Sequence, residues 1–208
     1  MERKEILELN EKFKEKQPQE ILEYFLEAYK GQIVFASSMG VEDQVVTDML
    51  MKIDNTFKII TLDTGRLYQE TYDLINKTNI RYKTKIKVYF PDSKKVEDMV
   101  NNYGVNLFYE SIDNRKLCCQ IRKIEPFKRA LQGNKVWISG LRKEQSVTRT
   151  DMQVIEWDEG NNMIKINPLL DWSADDVWIY VKKHGIPYNP MHDNNFPSIG
   201  CQPCTRAI

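Results

Sequence analysis

Residues 33–43 read Ile-Val-Phe-Ala-Ser-Ser-Met-Gly-Val-Glu-Asp, an apolar run followed by a short polar loop and the start of a helical pattern. Four apolar residues bounded by turn residues are typical of a strand that is buried on both faces. From Val41 to Met51 the apolar side chains return at helical spacing. The segment therefore predicts a strand, a tight loop and a helix.

The same unit continues along the chain, because apolar runs of strand length keep alternating with helical patterns. Further strands are predicted at residues 57–62, 86–90 and 136–138, and further helices through Ile75, from near Lys94, and from about Cys118 to Leu131. Such alternation produces a mostly parallel twisted sheet with helices on both faces. The predicted fold class is α/β.

The flanking segments add helices before this core and an edge hairpin after it. Two amphipathic patterns at residues 4–29 break near Pro18, where proline can open a second helix. Residues 152–157 and 163–166 predict a hairpin, and Ser173–Lys183 predicts a capped helix. We expect one domain, with N-terminal helices at 1–30, an α/β core at 31–150, and an edge hairpin, helix and irregular loop at 151–208.

The composition excludes several classes of protein. Hydrophobic residues make up 41% of the 208 residues and charged residues 29%, which is typical of a globular chain and not of a disordered or collagen-like one. Thirty basic residues balance thirty acidic ones, so we predict neither a nucleic acid nor a membrane surface as partner. No apolar run approaches the roughly 20 residues of a membrane span, and the N-terminus lacks a secretory pattern. We therefore expect a cytoplasmic protein.

The four cysteines form two pairs, which we call the first cysteine pair (Cys118, Cys119) and the second cysteine pair (Cys201, Cys204). Four thiolates from two local pairs suit tetrahedral zinc or a four-iron four-sulfur cluster. Adjacent thiolates favour the cluster, because its separate irons can each accept one neighbour. Zinc and four buried free thiols are the alternatives.

Two cations follow the first cysteine pair at helical spacing. Arg122 comes four residues after Cys118, and Lys123 four after Cys119. If the helix begins near Cys118, its N-terminal dipole would also favour an anionic group there. Lys123 is predicted to bridge such a group to an anionic substrate. The alternative is a solvated basic helix face, which suits Arg122 better than Lys123.

Three loops follow predicted strands at the carboxyl edge of the sheet, where open α/β sheets bind ligands. None matches a Walker A loop or a dinucleotide fingerprint. Hydroxyls and backbone amides there can hold a nucleotide, and the arginines can bind phosphate or sulfate. Ordinary turn chemistry, with Ser38 or Asp63 capping helices, is the alternative. The candidate binding residues are Ser37, Ser38, Gly40, Asp43, Leu62, Asp63, Thr64, Gly65, Arg66, Arg142 and Arg149.

Four motifs in order connect these features to a known family: Ser-Ser-x-Gly-x-Glu-Asp, Leu-Asp-Thr-Gly-Arg, Cys-Cys-x-x-Arg-Lys-x-x-Pro and Gly-Cys-x-Pro-Cys-Thr-Arg. The chain resembles the cluster-bearing branch of the assimilatory adenylyl-sulfate reductases. The resemblance implies a PP-loop-like adenine-nucleotide fold and the substrate adenosine 5′-phosphosulfate (APS). It places one four-iron four-sulfur cluster on Cys118, Cys119, Cys201 and Cys204, adenosine on residues 37–43 and 62–66, and the phosphosulfate on Lys123, Arg142 and Arg149.

The resemblance also implies a reaction. In the family a cysteine on a C-terminal tail attacks the sulfate sulfur and releases AMP, and thioredoxin or glutaredoxin then frees sulfite. The sequence has no fifth cysteine, so we expect no catalytic residue within it, as for a truncated chain or a core without its nucleophile. Neither histidine, His184 nor His192, is assigned a catalytic role.

Several functions remain open at this point. One is a reductase that prefers the 3′-phosphorylated substrate (PAPS). Another is an ATP-using PP-loop adenylating or thiolating enzyme with structural zinc, although the usual Ser-Gly-Gly-x-Asp-Ser loop is absent from the sequence. The third is a non-catalytic nucleotide-binding module. Homo-oligomers are compatible with each of them.

Overall fold

The computed structural model describes residues 3–146 and 151–208. It begins with two helices, α1 (Arg3–Phe13) and α2 (Pro18–Ala28). Pro18 occupies the first turn of α2, where its missing N–H costs nothing, and the Glu20 carboxylate accepts from the Gln17 amide at 2.9 Å. The predicted break between two helices is confirmed.

A six-stranded sheet forms the centre of the molecule, and all its strand pairs are parallel except one. The strand order is β3-β2-β1-β4-β6-β5, and only β5 runs antiparallel, against β6. The predicted α/β class is confirmed, and the predicted hairpin is the β5–β6 edge. The strands are β1 (Ile33–Ala36), β2 (Ile59–Leu62), β3 (Lys87–Tyr89), β4 (Val136–Ile138), β5 (Ile155–Asp158) and β6 (Met163–Ile166).

The remaining helices connect or cover these strands. They are α3 (Val41–Ile53), α4 (Gln69–Tyr82), α5 (Ser93–Tyr103), α6 (Ile112–Cys119), α7 (Glu125–Leu131) and α8 (Ala174–His184). In the part of the chain described, no helix is long and apolar enough to cross a membrane.

One helix boundary differs from the prediction. The helix expected to begin near Cys118 begins at Ile112, because Ser111 caps it by accepting from the Asn114 amide at 3.1 Å. The first cysteine pair therefore lies at the end of α6, and the predicted N-terminal dipole does not act on it. A π-helical turn, Gln120–Ile124, separates α6 from α7.

The largest core lies against the middle of the sheet. Phe35 on β1 and Val136 and Ile138 on β4 are fully buried. Helix α3 is buried at every position from Val41 to Met51, because α2 and α8 also pack against it. A separate small core of Met99, Leu107 and Phe108 packs against Cys118 and Ile121, so it supports the first cysteine pair.

Candidate active site

A cavity of about 390 Å³ opens beside the carboxyl ends of β1, β2 and β4. Parallel strands commonly deliver ligand-binding loops to this edge. Its walls fall into a polar group and an apolar group. The polar group includes Ser37, Ser38, Asp43, Thr64 and Ser139, and the apolar group includes Ala36, Ile60, Leu62, Ile124, Phe127 and Trp137.

The loop after β1 is organised around Asp43. Both the Ser38 amide and the Ser38 hydroxyl donate to Asp43 Oδ2, at 2.5 Å and 2.7 Å. Burial raises the pKa of the Asp43 carboxyl to about 6, although hydrogen bonds from Ser38 and Gly140 oppose this shift. Gly40, and not Ser38, occupies the N-cap position of α3, so the alternative in which Ser38 caps this helix is wrong. Ser38 lines the cavity, where a ligand would reach it.

The absence of a side chain at Gly140 allows the Asp43 carboxylate to pack against the backbone of the loop after β4. A Cβ at position 140 would collide with the Asp43 carboxylate and lie 3.1 Å from the Asp43 amide nitrogen. Only glycine allows this approach without displacement of the backbone. Gly140 was not among the candidate site residues, although a glycine in the loop after a buried strand is the signal that could have identified it.

Arg142 lies in a buried ion pair next to the cavity. Its Nε and Nη2 lie 3.0 Å and 2.9 Å from Glu42 Oε1, and Nη1 lies 3.2 Å from Glu144. Glu42 lines the cavity, whereas the lining residues do not include Arg142. The guanidinium predicted to contact a phosphosulfate thus supports Glu42, which the prediction quoted in a motif but did not select. Arg149 lies outside the described residues.

The Leu62–Arg66 loop faces two directions. Leu62 and Thr64, two of the candidate binding residues, line the cavity. Asp63 accepts from the Gly65 amide at 2.7 Å and from the Tyr72 hydroxyl at 3.0 Å, so it stabilises the turn. Arg66 turns away from the cavity, because its carbonyl accepts from the Gln202 amide at 2.8 Å and its guanidinium donates to the Val105 carbonyl.

Thr64 connects the second cysteine pair to Arg122 in the π-helical turn. Its hydroxyl lies 3.1 Å from Cys201 Sγ, and its carbonyl accepts from Arg122 Nη1 at 2.7 Å. Arg122 is 8% exposed, so the solvated-face alternative is wrong for this residue. The Tyr109 hydroxyl adds a bond to the Pro203 carbonyl at 3.0 Å. The fold therefore holds segments that are distant in sequence next to one another.

All four cysteines are free thiols. Burial raises the pKa of the Cys118 thiol; Cys119, Cys201 and Cys204 raise it further, and Arg122 opposes them. Within residues 3–146 and 151–208, however, no group of three or more His, Cys, Asp or Glu side chains is arranged to hold a metal ion.

Lys123 differs from its neighbour Arg122. It lies in the π-helical turn, is exposed, and lines the cavity together with Cys201. Its ammonium makes no hydrogen bond or ion pair with the described residues, so it is available to an anionic ligand. π-Helical turns are often found at functional sites, and this one turns Arg122 inward and Lys123 toward the cavity.

The two histidines lie outside the cavity lining. His192 Nδ1 is 2.8 Å from the Phe196 carbonyl, which can only accept, so Nδ1 carries a proton. Burial lowers the pKa of His192. His184 Nδ1 lies 3.3 Å from Lys52 Nζ at the surface.

A mostly parallel sheet with a partly apolar cavity at its strand ends, bordered by an available lysine and by Cys201, is typical of a PP-loop-like α/β protein. Residues 32–207 match the model of the phosphoadenosine phosphosulfate reductase domain. The chain belongs to this family, and the resemblance to APS reductases is confirmed. It is therefore an oxidoreductase that acts on sulfur compounds.

Two curated relatives show how far the similarity extends. The adenosine 5′-phosphosulfate reductase of Allochromatium vinosum is 49% identical over 176 residues, which cover 85% of this chain and 69% of that protein. The enzyme of the same name from Sinorhizobium fredii is 46% identical over 179 residues, 86% of this chain and 71% of that protein.

Solved structures agree with the fold. The phosphoadenylyl-sulfate reductase of Candida auris, solved as a phosphate complex, superposes with a TM-score of 0.86 at 29% identity, covering 99% of this chain and 98% of that one. The FMN adenylyltransferase of Candida glabrata gives 0.63 at 17% identity, over 89% of this chain and 60% of that one. The second likeness shows the PP-loop fold alone.

Proposed function

We propose that this protein reduces adenosine 5′-phosphosulfate to sulfite and AMP. The observation that carries the proposal is the shared lining of one cavity, where an available lysine, Lys123, and one cysteine, Cys201, border apolar walls suited to a purine. The names of relatives that are 42–49% identical to the chain support APS as the substrate.

Binding divides between the two kinds of wall. The adenine lies against the apolar side chains, and the Ser37–Asp43 loop, with Leu62 and Thr64, holds the ribose. The phosphosulfate extends toward Lys123, whose ammonium neutralises its charge, with Arg149 as the second cation. Arg142 does not contact the ligand directly in this proposal, because its guanidinium is paired with Glu42. It holds Glu42 in position at the cavity.

The chemistry is a transfer of sulfur to a thiol. A cysteine thiolate attacks the sulfate sulfur, the bond from that sulfur to the phosphate oxygen breaks, and AMP leaves with the oxygen. A dithiol of thioredoxin or glutaredoxin then attacks the cysteine sulfur, is oxidised to a disulfide, supplies both electrons and releases sulfite. All four cysteines of this sequence belong to the two pairs, so the proposal takes the attacking thiol from outside these 208 residues.

We assign the two cysteine pairs to a four-iron four-sulfur cluster. When bound, the cluster would supply a compact iron–sulfur charge next to the phosphosulfate end of the substrate. Four irons hold four thiolates further apart than one ion does. The electrostatic influence of Cys119, Cys201 and Cys204 on Cys118 supports one shared site for all four thiols. Four free thiols also support a reducing compartment, which we take to be the cytoplasm.

A second substrate, PAPS, is favoured by one observation. The Candida auris enzyme, which is named for that substrate, superposes over almost the whole chain. A competition experiment between APS and PAPS for the cavity decides between the two.

Sulfite release tests the proposed reaction directly. We expect the chain, extended by a cysteine-terminated tail, to release one sulfite per AMP from APS in the presence of a reduced thioredoxin. The same tail with serine in place of cysteine should release none. Consumption of ATP with release of pyrophosphate, and no sulfite from the extended chain, would instead identify an adenylating enzyme.

A further inference from the structure

The apolar part of the cavity has an aromatic wall formed by Trp137 and Phe127. Trp137 is the middle residue of β4 and is half-buried. Its ring meets Phe127 edge to face, with ring centres 5.2 Å apart and an angle of 77° between the planes. Both side chains line the cavity. A tryptophan side chain is a rigid ring with only two torsions. A contact that fixes the orientation of the ring therefore also fixes the shape of this wall.

The indole is held from outside the cavity, by the edge hairpin. Trp137 Nε1–H donates to Asp158 Oδ2 at 2.9 Å. Asp158 is the last residue of β5, and it touches the cavity only through Trp137. The ammonium of Lys165 on β6 lies 5.5 Å from the indole centre and is itself paired with Glu156 at 3.1 Å.

The turn between β5 and β6 fixes the Asp158 carboxylate in turn. The Asn161 amide donates to Asp158 Oδ1 at 3.2 Å, and Asn161 Nδ2 donates to Asp158 Oδ2 at 2.7 Å. Asp158 Oδ2 therefore accepts from both the indole and the Asn161 side chain, and Oδ1 accepts from the turn backbone. The edge hairpin, which contributes no residue to the phosphosulfate end of the site, thus controls one wall of the cavity.

We propose that Asp158 is a positioning residue for the base of the nucleotide, because it holds Trp137 in the orientation that forms the base-binding wall. This inference rests on the proposed function, since it assumes an aromatic base in the apolar part of the cavity. A planar purine gains from an oriented aromatic wall, whereas the phosphosulfate end has no contact with Asp158 among the described residues. Loss of Asp158 should therefore weaken binding of the base and leave binding of the phosphate unchanged.

Two ligands separate these effects. AMP contains the base, and ribose 5-phosphate lacks it but fills the remaining subsites. We expect Asp158→Ala to weaken AMP binding about tenfold, a typical loss for an oriented aromatic contact, in titrations of the full chain. Binding of ribose 5-phosphate should stay within about twofold, and Asp158→Asn, whose amide oxygen can still accept from the indole, should keep most of the AMP affinity.

Matched variants test the route through the indole. Glu159→Ala removes the adjacent exposed carboxylate and should change nothing. Trp137→Phe keeps an aromatic wall but removes the donor, so adding Asp158→Ala to it should cause no further loss of AMP affinity. Asn161→Ala, followed by thermal unfolding, reports damage to the turn itself.

Each result supports or overturns the inference. Unchanged AMP affinity in Asp158→Ala, an equal loss for ribose 5-phosphate, or additive effects of the two substitutions would overturn it while the proposed function stands. Failure of the wild-type chain to bind AMP would overturn the proposed function and this inference with it.

Discussion

Lys123 and Arg122 are adjacent cations with opposite environments. Arg122 is buried and its guanidinium donates to the Thr64 carbonyl, so it fixes the π-helical turn against the Leu62–Arg66 loop. Lys123 is exposed at the cavity and has no partner among the described residues. Of these two adjacent cations, only Lys123 is therefore placed to contact a substrate in the cavity.

Replacing Lys123 should therefore affect binding more than stability. We expect Lys123→Ala to weaken APS binding about 10- to 100-fold, because one charge-assisted contact is lost, and to change the free energy of unfolding by less than about 0.5 kcal/mol. Calorimetric titration and urea unfolding measure the two quantities. Lys128→Ala, an exposed cation on α7 that does not line the cavity, is the matched control. Equal losses of APS affinity in both variants would contradict the assignment.

Asp43 should make stability depend on pH. Burial raises the pKa of its carboxyl from 3.8 to about 6, so the folded protein binds this proton more tightly than the unfolded chain does. The stabilisation is full below pH 3.8 and is lost as the pH rises through 6, a change of about 3 kcal/mol. Asp43→Asn lacks this titration.

The comparison is made by urea unfolding at pH 4, 5.5 and 7. The free energy of unfolding of the wild type should fall relative to that of Asp43→Asn across this range. The exposed Asp175→Asn should stay parallel to the wild type. A constant difference between the wild type and Asp43→Asn at all three pH values would show that Asp43 ionises normally.

Among the helices, α3, α4 and α8 are joined by one buried carboxylate. Asp48 on α3 is 2% exposed and accepts from the hydroxyls of Tyr82 at 2.9 Å and Tyr180 at 3.0 Å. Lys52 completes the set, with its ammonium 2.6 Å from Asp48. None of these side chains lines the cavity, so the network stabilises the helices that carry the site without contacting a ligand.

Removal of one hydroxyl from this network tests whether it stabilises the fold without contributing to ligand binding. Tyr180→Phe should lower the free energy of unfolding by about 2 kcal/mol, because the carboxylate loses a hydrogen bond. AMP affinity should not change. Tyr103→Phe, at an exposed position on α5, is the control. Unchanged stability in Tyr180→Phe, or a loss of AMP affinity, would show that the network acts differently.

Sequence periodicity predicts some elements and misses others. It was sufficient for β1, α3 and the edge hairpin, because their apolar residues recur in the sequence in the pattern that the buried positions require. It missed the start of α6, whose first residue, Ile112, is 74% exposed and sets no pattern. The π-helical turn has no periodic signal, since it depends on packing against α5 and on the bond from Arg122 to Thr64.

In the whole molecule, the strand order of the sheet brings together loops that are far apart in the sequence. The loops after β1, β2 and β4 meet because these strands are neighbours in a parallel sheet, and this much could be predicted from the motifs. The close approach of Gly140 to Asp43 and the Glu42–Arg142 pair could not, because both are tertiary contacts between different loops. The contacts of Thr64 with Cys201 and Arg122 are of the same kind.

The proposed function places APS in one cavity, next to an iron–sulfur cluster on the two cysteine pairs. An anaerobic visible spectrum, with iron and sulfide counted per chain and repeated after addition of APS, tests both parts of this proposal. We expect about four irons and four sulfides, broad visible absorbance, and a spectrum that APS perturbs. Stoichiometric zinc without sulfide, or a cluster spectrum that saturating APS leaves unchanged, would contradict it.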